Sequence, residues 1–267
     1  MLLGVRQFCP FDVFCLLCWL VAQRDMVATV IVAKTVLEIP ADAVDGKPTT
    51  VYWDICGLGQ CPRYALEIAG VDYVDVRIDA GDAASPSYKA LWLDEAKPKK
   101  IKGSGLLFPN LPYYLDGKVK LAQSNAILRH LGRTYGLMGD AAHAVDVVLD
   151  QATDLDNSIT GPCYRDFASL KVAFETTLPE KLDAWVECLG DKPFMTGAAV
   201  TVGDLKIYEA LRKIALICEA HALKTLEPYP TLASFVARVE AIPAMAAYLA
   251  SPNFLARPLN NPHAQFR

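Results

Sequence analysis

The sequence lacks any uninterrupted apolar run long enough for a membrane-spanning helix, although 53% of its 267 residues are hydrophobic. It also lacks an excess of basic residues, and its formal net charge of −4 argues against nucleic acid as the main partner. The chain is long enough to bury a sizeable core in one or two domains. We therefore expect a protein with no membrane span and no nucleic-acid partner.

A pattern of metal ligands is also missing. The four histidines are dispersed, and although Cys15 and Cys18 have metal-ligand spacing, no second pair or histidine lies near them. The eight cysteines are scattered rather than arranged as a disulfide framework. We expect no metal site and reduced thiols, which are typical of a cytoplasmic protein.

The first 48 residues differ in pattern from the rest of the chain. Residues 13–22 form a short apolar run shaped like the core of a signal peptide, but no good cleavage site follows. Met26 is an alternative start, which would leave residues 1–25 as a leader. We expect residues 1–48 to be an extension, either leader or disordered, that folding and catalysis do not need.

From residue 49 to 138 the pattern alternates between strands and helices. β-Branched and aromatic runs, helix-starting Pro62 and the turn-forming pair Asp116-Gly117 define the elements. We predict strands at 51–55, 72–78, 113–115 and 119–122, and helices at 62–69, 87–95 and 124–135. This order predicts a thioredoxin-like α+β domain.

Only helical periodicity is present from residue 139 to 267. We predict helices at 140–160, 166–189, 204–219, 232–241 and 245–249. Thr201 and Asp204 have the spacing of an N-terminal capping pair. The second domain is therefore predicted to be an all-α helical bundle.

The most informative stretch of the chain runs from residue 107 to 127. Ser124 stands before an apolar-periodic run that is closed by Gly136, which predicts a helix with a serine N-cap. A helix that begins directly after a hairpin leaves its first N–H groups unpaired, and these attract a carboxylate or phosphate. Pro112, directly before a strand, is a candidate for a cis peptide bond.

The segment FPNLPYYLDGKVKLAQSNAIL resembles the glutathione-binding signature of the cytosolic glutathione S-transferases, closest to the mu class. The resemblance implies the glutathione transferase fold, with glutathione as co-substrate and no other cofactor. It assigns Leu111, before a cis Pro112, to the cysteinyl backbone of glutathione, and Gln123 and Ser124 to the γ-glutamyl end. Asn110 would lie near the glycyl end.

A second segment carries the predicted chemistry. Tyr52-Trp53-Asp54-Ile55, followed by Gly57-Leu58, resembles the mu-class segment whose tyrosine is catalytic. A thiol with a pKa of about 8.5 is mostly protonated at neutral pH, and a hydroxyl that donates a hydrogen bond to the sulfur stabilises the nucleophilic thiolate. We therefore predict an enzyme that conjugates glutathione to small hydrophobic electrophiles, with Tyr52 catalytic and Trp53 and Leu58 binding glutathione.

The glycyl end of the predicted site departs from the family pattern. Trp92 matches a tryptophan that donates its indole N–H to the glycyl carboxylate, with packing inside the domain as the alternative. The family lysine four residues further on is Ala96 here, and the family arginine after Asp54-Ile55 is Cys56. The candidates to replace the missing cation are Lys97, Lys99, Lys100 and Lys102.

Three further matches imply a homodimer and a second pocket. Asp154 matches an aspartate that reaches the glutathione amine in the partner subunit, and Phe108 matches an aromatic residue that inserts between helices of the neighbouring subunit. Tyr164 matches a tyrosine that lines the electrophile pocket. The resemblance therefore implies that the active unit is a homodimer.

Two alternatives stay open. Cys56 lies seven residues before Arg63, the spacing at which glutaredoxin-like and omega-class relatives place a catalytic cysteine, so a thiol transferase or peroxide reductase is one alternative. The other is a non-catalytic structural protein of the same fold with a vestigial site.

Overall fold

The structure, a computed structural model, describes residues 28–267. Its strands are β1 (Thr29–Ala33), β2 (Thr49–Trp53), β3 (Val74–Ile78), β4 (Tyr113–Asp116) and β5 (Val119–Ala122). Its helices are α1 (Gln60–Ile68), a π-helix (Leu91–Ile101), α2 (Ser124–Thr134), α3 (Ala142–Arg165), α4 (Phe167–Thr176), α5 (Leu178–Leu189), α6 (Val202–His221), α7 (Pro230–Glu240) and α8 (Pro243–Ala250).

The five strands form one mixed sheet in the order β1-β3-β2-β4-β5. β3 pairs in parallel with both β1 and β2, whereas β4 is antiparallel to its two neighbours. Residues of α1 and α2 share a core with the helical domain, whereas the π-helix packs in a separate core with the strands. This arrangement confirms the predicted α+β domain.

Residues 29–48, expected to belong to a leader or a disordered extension, are ordered in the structure. The expectation that folding and catalysis do not need them stays a prediction. β1 pairs with β3 along its whole length, from Thr29 opposite Val74 to Ala33 opposite Ile78. Ile39 is completely buried in the core on one face of the sheet. The partner of β1 lies beyond the next strand in sequence, so no local pattern reveals the pairing. The leader prediction for residues 1–27 lies outside the described residues.

The second domain is all-helical from α3 onward, as predicted. α3 and α6 make its most extensive helix contact. Asp204 accepts hydrogen bonds from the backbone N–H of Thr201 at 2.8 Å and from its hydroxyl at 2.7 Å, which confirms the predicted capping pair. The single helix predicted over 166–189 is divided at Thr177 because α5 starts afresh there, with Pro179 in its first turn.

Two predicted elements differ in detail. Gln123, not Ser124, is the N-cap of α2, and it has a positive φ of 74°. The helix expected over 87–95 is the π-helix from Leu91 to Ile101, with Pro98 inside it. The peptide bond before Pro112 is cis, as expected.

Among the helices of residues 28–267, none is by itself long and apolar enough to cross a membrane. Taken together, α7 and α8 have the length and apolar composition of a membrane span, but the pair bends by 83° at the break between the two helices.

Candidate active site

The register of the sheet brings the predicted glutathione-binding segments together at one edge. Val51 lies opposite Tyr113 in the antiparallel pair of β2 and β4, so continuing the register places Pro112 beside Tyr52. Tyr113 also lies opposite Ala122 of β5, which places Gln123 on the other side of Pro112. The three segments predicted from the sequence therefore meet where β2 ends and β4 begins.

The Tyr52 ring lies against two glycines in the loop after β2. A Cβ atom on Gly57 would lie 2.7 Å from the Tyr52 Oη, and one on Gly59 would lie 2.6 Å from its Cδ1. Only residues without a side chain leave room for the ring at these positions. Burial raises the pKa of Tyr52 to about 12, and the Leu58 backbone offsets part of that rise. The phenol is therefore protonated at neutral pH and can donate a hydrogen bond.

The start of α2 supplies polar groups beside Pro112. Gln123 is exposed and Ser124 is half-buried, so both side chains can reach a bound molecule. The backbone N–H of Ile127 is the first of the helix to bond back, to the carbonyl of Gln123. The N–H groups of the preceding helical residues therefore face outward at the positive end of the helix dipole, where a carboxylate is favoured.

Trp92, predicted at the glycyl end, is almost completely buried. Only 2% of it is exposed, and its ring stacks on that of Tyr113 with centroids 5.8 Å apart. Ala96 is completely buried one turn further along the π-helix. The position where the family has its lysine is therefore inside the core, where an ammonium group would have no access to water.

The lysines expected to replace that cation are partly engaged elsewhere. Lys99 forms an ion pair with Glu95 at 2.6 Å. Lys100 donates to the carbonyls of Val36 and Leu37 at 3.0 and 3.2 Å. The ion pair of Lys99 and the two hydrogen bonds of Lys100 remove these two lysines from consideration.

Sequence reasoning missed Lys89, which lies on the loop between β3 and the π-helix. Its Nζ lies 5.7 Å from the ring centroid of Trp53 and 4.9 Å from that of Tyr88. Burial lowers the pKa of Lys89, as expected for an ammonium group partly removed from water. Lys89 is thus a cation at the same sheet edge as Tyr52. Its spacing of three residues before Trp92 is the only sequence signal that pointed to it.

Tyr164 and the C-terminal tail lie near Tyr52 and the loop after β2. The backbone N–H groups of Cys56 and Gly57 donate to the carbonyls of residues 258 and 259 at 2.9 and 3.1 Å, which pins the tail to the loop after β2. The backbone N–H of Asn261 donates to the Tyr164 hydroxyl at 2.8 Å. His263 packs on the Tyr164 ring with centroids 4.8 Å apart. The tail thus forms a wall beside Tyr164.

Cys56 does not have the environment of a redox-active cysteine. Its side chain is completely buried, its thiol donates to the carbonyl of Leu255 at 2.9 Å, and Arg212 lies 3.4 Å from the sulfur. Burial, with a smaller effect from Glu209, raises the pKa of Cys56. A protonated thiol sealed from solvent is a poor nucleophile, so the geometry disfavours the cysteine-based alternative.

Asp154 and Phe108 do not join the other site residues within one chain. Asp154 lies in a groove between α3 and α5 that is lined mainly by apolar and aliphatic side chains, including Val147, Val148 and Trp185. Phe108 lies on the loop before β4, is 86% exposed and has a positive φ of 49°. The side chains of Asp154 and Phe108 are both exposed on the surface of the chain.

The part of the chain from residue 28 onward holds no cluster of three or more histidine, cysteine or acidic side chains that could bind a metal. The cysteines in the same part, Cys56, Cys61, Cys163, Cys188 and Cys218, are all free thiols.

Comparison with known proteins agrees with this geometry. Residues 48–133 match the model of the glutathione S-transferase N-terminal domain, and residues 153–252 match that of the C-terminal domain. Glutathione S-transferase Mu 2 of Rattus norvegicus is 38% identical over 219 residues, which cover 79% of this chain and 94% of that protein. Glutathione S-transferase Mu 1 of Bos taurus is 37% identical over 216 residues, covering 78% and 93% of the two chains.

The fold is also shared with solved structures. The Pi-class glutathione S-transferase of Onchocerca volvulus superposes with a TM-score of 0.67 at 23% identity, covering 82% of this chain and 100% of that one. At that identity the likeness shows the fold alone. The relatives at higher identity and the two domain matches decide the family: the chain belongs to the glutathione S-transferase family, and it is related to the Mu class.

Proposed function

We propose that the protein transfers reduced glutathione to small hydrophobic electrophiles, with Tyr52 as the catalytic residue. The observation that carries this proposal is the position of the Tyr52 hydroxyl, held against Gly57 beside the cis peptide of Pro112, where burial raises its pKa to about 12. The hydroxyl donates a hydrogen bond to the sulfur of glutathione, and the thiol loses its proton to solvent. The thiolate then attacks the electrophilic carbon, forming a C–S bond as the leaving group departs or a strained ring opens.

The cysteinyl and γ-glutamyl parts of glutathione occupy the edge where β2, β4 and β5 meet. Leu111 directly precedes the cis Pro112 at the start of β4, and we assign its backbone N–H and C=O to the cysteinyl backbone. Gln123 and Ser124 bind the γ-glutamyl amine and carboxylate. The outward N–H groups at the start of α2 add a favourable field for that carboxylate.

The glycyl carboxylate lies at the other end, toward the π-helix. We assign its counter-charge to Lys89, which lies over Trp53. Asn110 and the indole N–H of Trp92 are the neutral donors proposed for the same carboxylate. The electrophile lies on the opposite side of the sulfur, against Leu58 and Tyr164, where the C-terminal tail closes the pocket.

The active unit is proposed to be a homodimer. Burying an exposed phenylalanine side chain is worth about 1.5–3 kcal/mol, and the groove between α3 and α5 offers Phe108 of a second copy an apolar seat. Asp154 lies in that groove and would face the partner's glutathione amine.

In sedimentation, Phe108→Ala should shift the protein toward monomer, whereas Asp154→Ala should raise KM for glutathione without dissociation. A fully active wild-type monomer at micromolar concentration would overturn the assignment.

The deciding experiment compares Tyr52→Phe with Cys56→Ser. We expect Tyr52→Phe to lower conjugating turnover by about tenfold or more, because a hydrogen bond to a charged partner is worth about 1.5–3 kcal/mol. Cys56→Ser should retain activity. The opposite result would favour the cysteine mechanism, and a wild-type protein that is retained on glutathione resin without conjugating activity would favour the structural alternative.

The free thiols are consistent with the proposed cytoplasmic location.

A further inference from the structure

Residues 34–48, which we call the brace, lie outside the part of the chain that matches the N-terminal domain model, except for residue 48. They connect β1, at the edge of the sheet, to β2, in its interior. Because both strands run parallel to β3, the brace crosses the face of the sheet from one end to the other. On that face Ile39 shares a core with Trp92, Ala96 and Ile101.

The brace is bonded to the π-helix at the helix's C-terminal end. Lys100 donates from its Nζ to the carbonyls of Val36 and Leu37 at 3.0 and 3.2 Å. The turn that presents these carbonyls is itself fixed, because Glu38 accepts from the backbone N–H groups of Lys34 and Thr35 at 2.8 Å each. An ammonium group thus joins two segments that are distant in sequence.

A second bond links the brace to Trp92 through Tyr113. The Tyr113 hydroxyl donates to the carbonyl of Pro40 at 2.7 Å, and its ring stacks on Trp92 with centroids 5.8 Å apart. Tyr113 follows the cis Pro112 directly, so one side chain connects the brace, the indole and the start of β4. Fixing the phenol therefore fixes the plane against which Trp92 rests.

The π-helix needs such external support. π-Helices are rare and usually span a single turn, whereas this one covers 11 residues and contains Pro98, which cannot donate a backbone hydrogen bond. Its first turn carries Trp92 and is bonded to Lys89, whose carbonyl accepts from the N–H of Trp92 at 3.1 Å and of Leu93 at 2.9 Å. Displacement of the helix would therefore move Lys89 and Trp92, two of the three groups that we assign to the glycyl carboxylate.

We propose that the brace preorganises the glycyl end of the glutathione site, with Lys100 and Tyr113 as positioning residues that act through the π-helix and Trp92. This inference rests on the proposed site for glutathione. The buried Ala96 offers no cation, so binding at this end depends on how well the remaining donors are held.

The test compares two ligands that differ only at the glycyl end, glutathione and γ-glutamylcysteine, by calorimetry on the full chain. For Lys100→Met and Tyr113→Phe we expect the Kd for glutathione to rise by about threefold to tenfold, the loss of one hydrogen bond. The Kd for γ-glutamylcysteine should stay within about twofold, and kcat at saturating glutathione should not change. Lys99→Met, on the same helix but paired with Glu95, is the matched control and should bind both ligands as the wild type does.

General destabilisation would lower the active fraction without selecting between the two ligands, and Lys100→Arg, which keeps the charge, should recover part of the lost affinity. If both ligands weaken equally, or neither weakens, the brace has no positioning role and the proposed function still stands. If the wild type fails to bind glutathione at all, both proposals are wrong.

Discussion

The two ends of the proposed glutathione site are built in different ways. We assign the γ-glutamyl end to Gln123, Ser124 and the cis Pro112, which lie within a single hairpin-helix segment and are set by its register. We assign the glycyl end to Lys89 and Trp92, supported by a brace whose bonds span up to 79 positions in the chain, as from Lys120 to Ala41. One end is a local structure and the other is a product of long-range packing.

This difference explains which end departs from the family pattern. A segment that makes its own turn, cap and strand pair keeps its geometry whatever packs elsewhere, so its sequence is constrained at each position. At the glycyl end the required groups come from separate segments, and a cation can move from one segment to another if it still reaches the carboxylate. Here Ala96, at the position of the family lysine, is buried, and we propose that Lys89, beside Trp53, supplies the positive charge instead.

The largest effect that we expect is on stability, from a substitution in the brace that supports the glycyl end. Ile39→Ala should lower the free energy of unfolding by about 2–5 kcal/mol, because it removes a fully buried side chain from the core that also holds Trp92. Leu37→Ala, two residues away but 88% exposed, is the matched control and should change little. Urea unfolding measures both. Equal stability of the two variants would mean that the brace is not part of the core.

A smaller effect is expected at the γ-glutamyl end. Ser124→Ala should raise the Kd for glutathione by about 10-fold to 100-fold, since it removes a hydrogen bond to a carboxylate worth about 1.5–3 kcal/mol. Binding of the dipeptide cysteinylglycine, which lacks the γ-glutamyl group, should not change. Equal losses for both ligands would show that Ser124 acts on the fold of α2 rather than on the ligand.

The smallest effect concerns the cation. Lys89→Met should raise the Kd for glutathione by about twofold to fivefold, because a partly exposed ion pair is screened and worth no more than about 1 kcal/mol. The loss should shrink at high salt and should vanish for γ-glutamylcysteine. Lys97→Met is the control on the π-helix. A larger loss of glutathione affinity for Lys97→Met than for Lys89→Met would show that Lys97, not Lys89, supplies the positive charge.

The sequence predicts those parts of the molecule that depend on local pattern. The hairpin at Asp116-Gly117, the strands β2 to β5 and the capping of α6 at Thr201 are within a few residues of their expected places. The strand β1 was missed although its residues, TVIVA, are rich in β-branched side chains that favour a strand. Its pairing with β3 is long-range and cannot be inferred from those five residues. Lys89 was missed because its approach to Trp53 depends on the fold of a loop with positive φ at that lysine.

The central claim is that the Tyr52 hydroxyl stabilises the thiolate, and a pH titration of the ultraviolet thiolate absorbance of bound glutathione tests it most directly. The wild-type complex should titrate below the ordinary thiol pKa of about 8.5. In Tyr52→Phe the pKa of the bound thiol should rise by about one to two units, the equivalent of a charge-assisted hydrogen bond of about 1.5–3 kcal/mol, while the Kd for glutathione changes little. An identical titration in the wild type and in Tyr52→Phe would contradict the account.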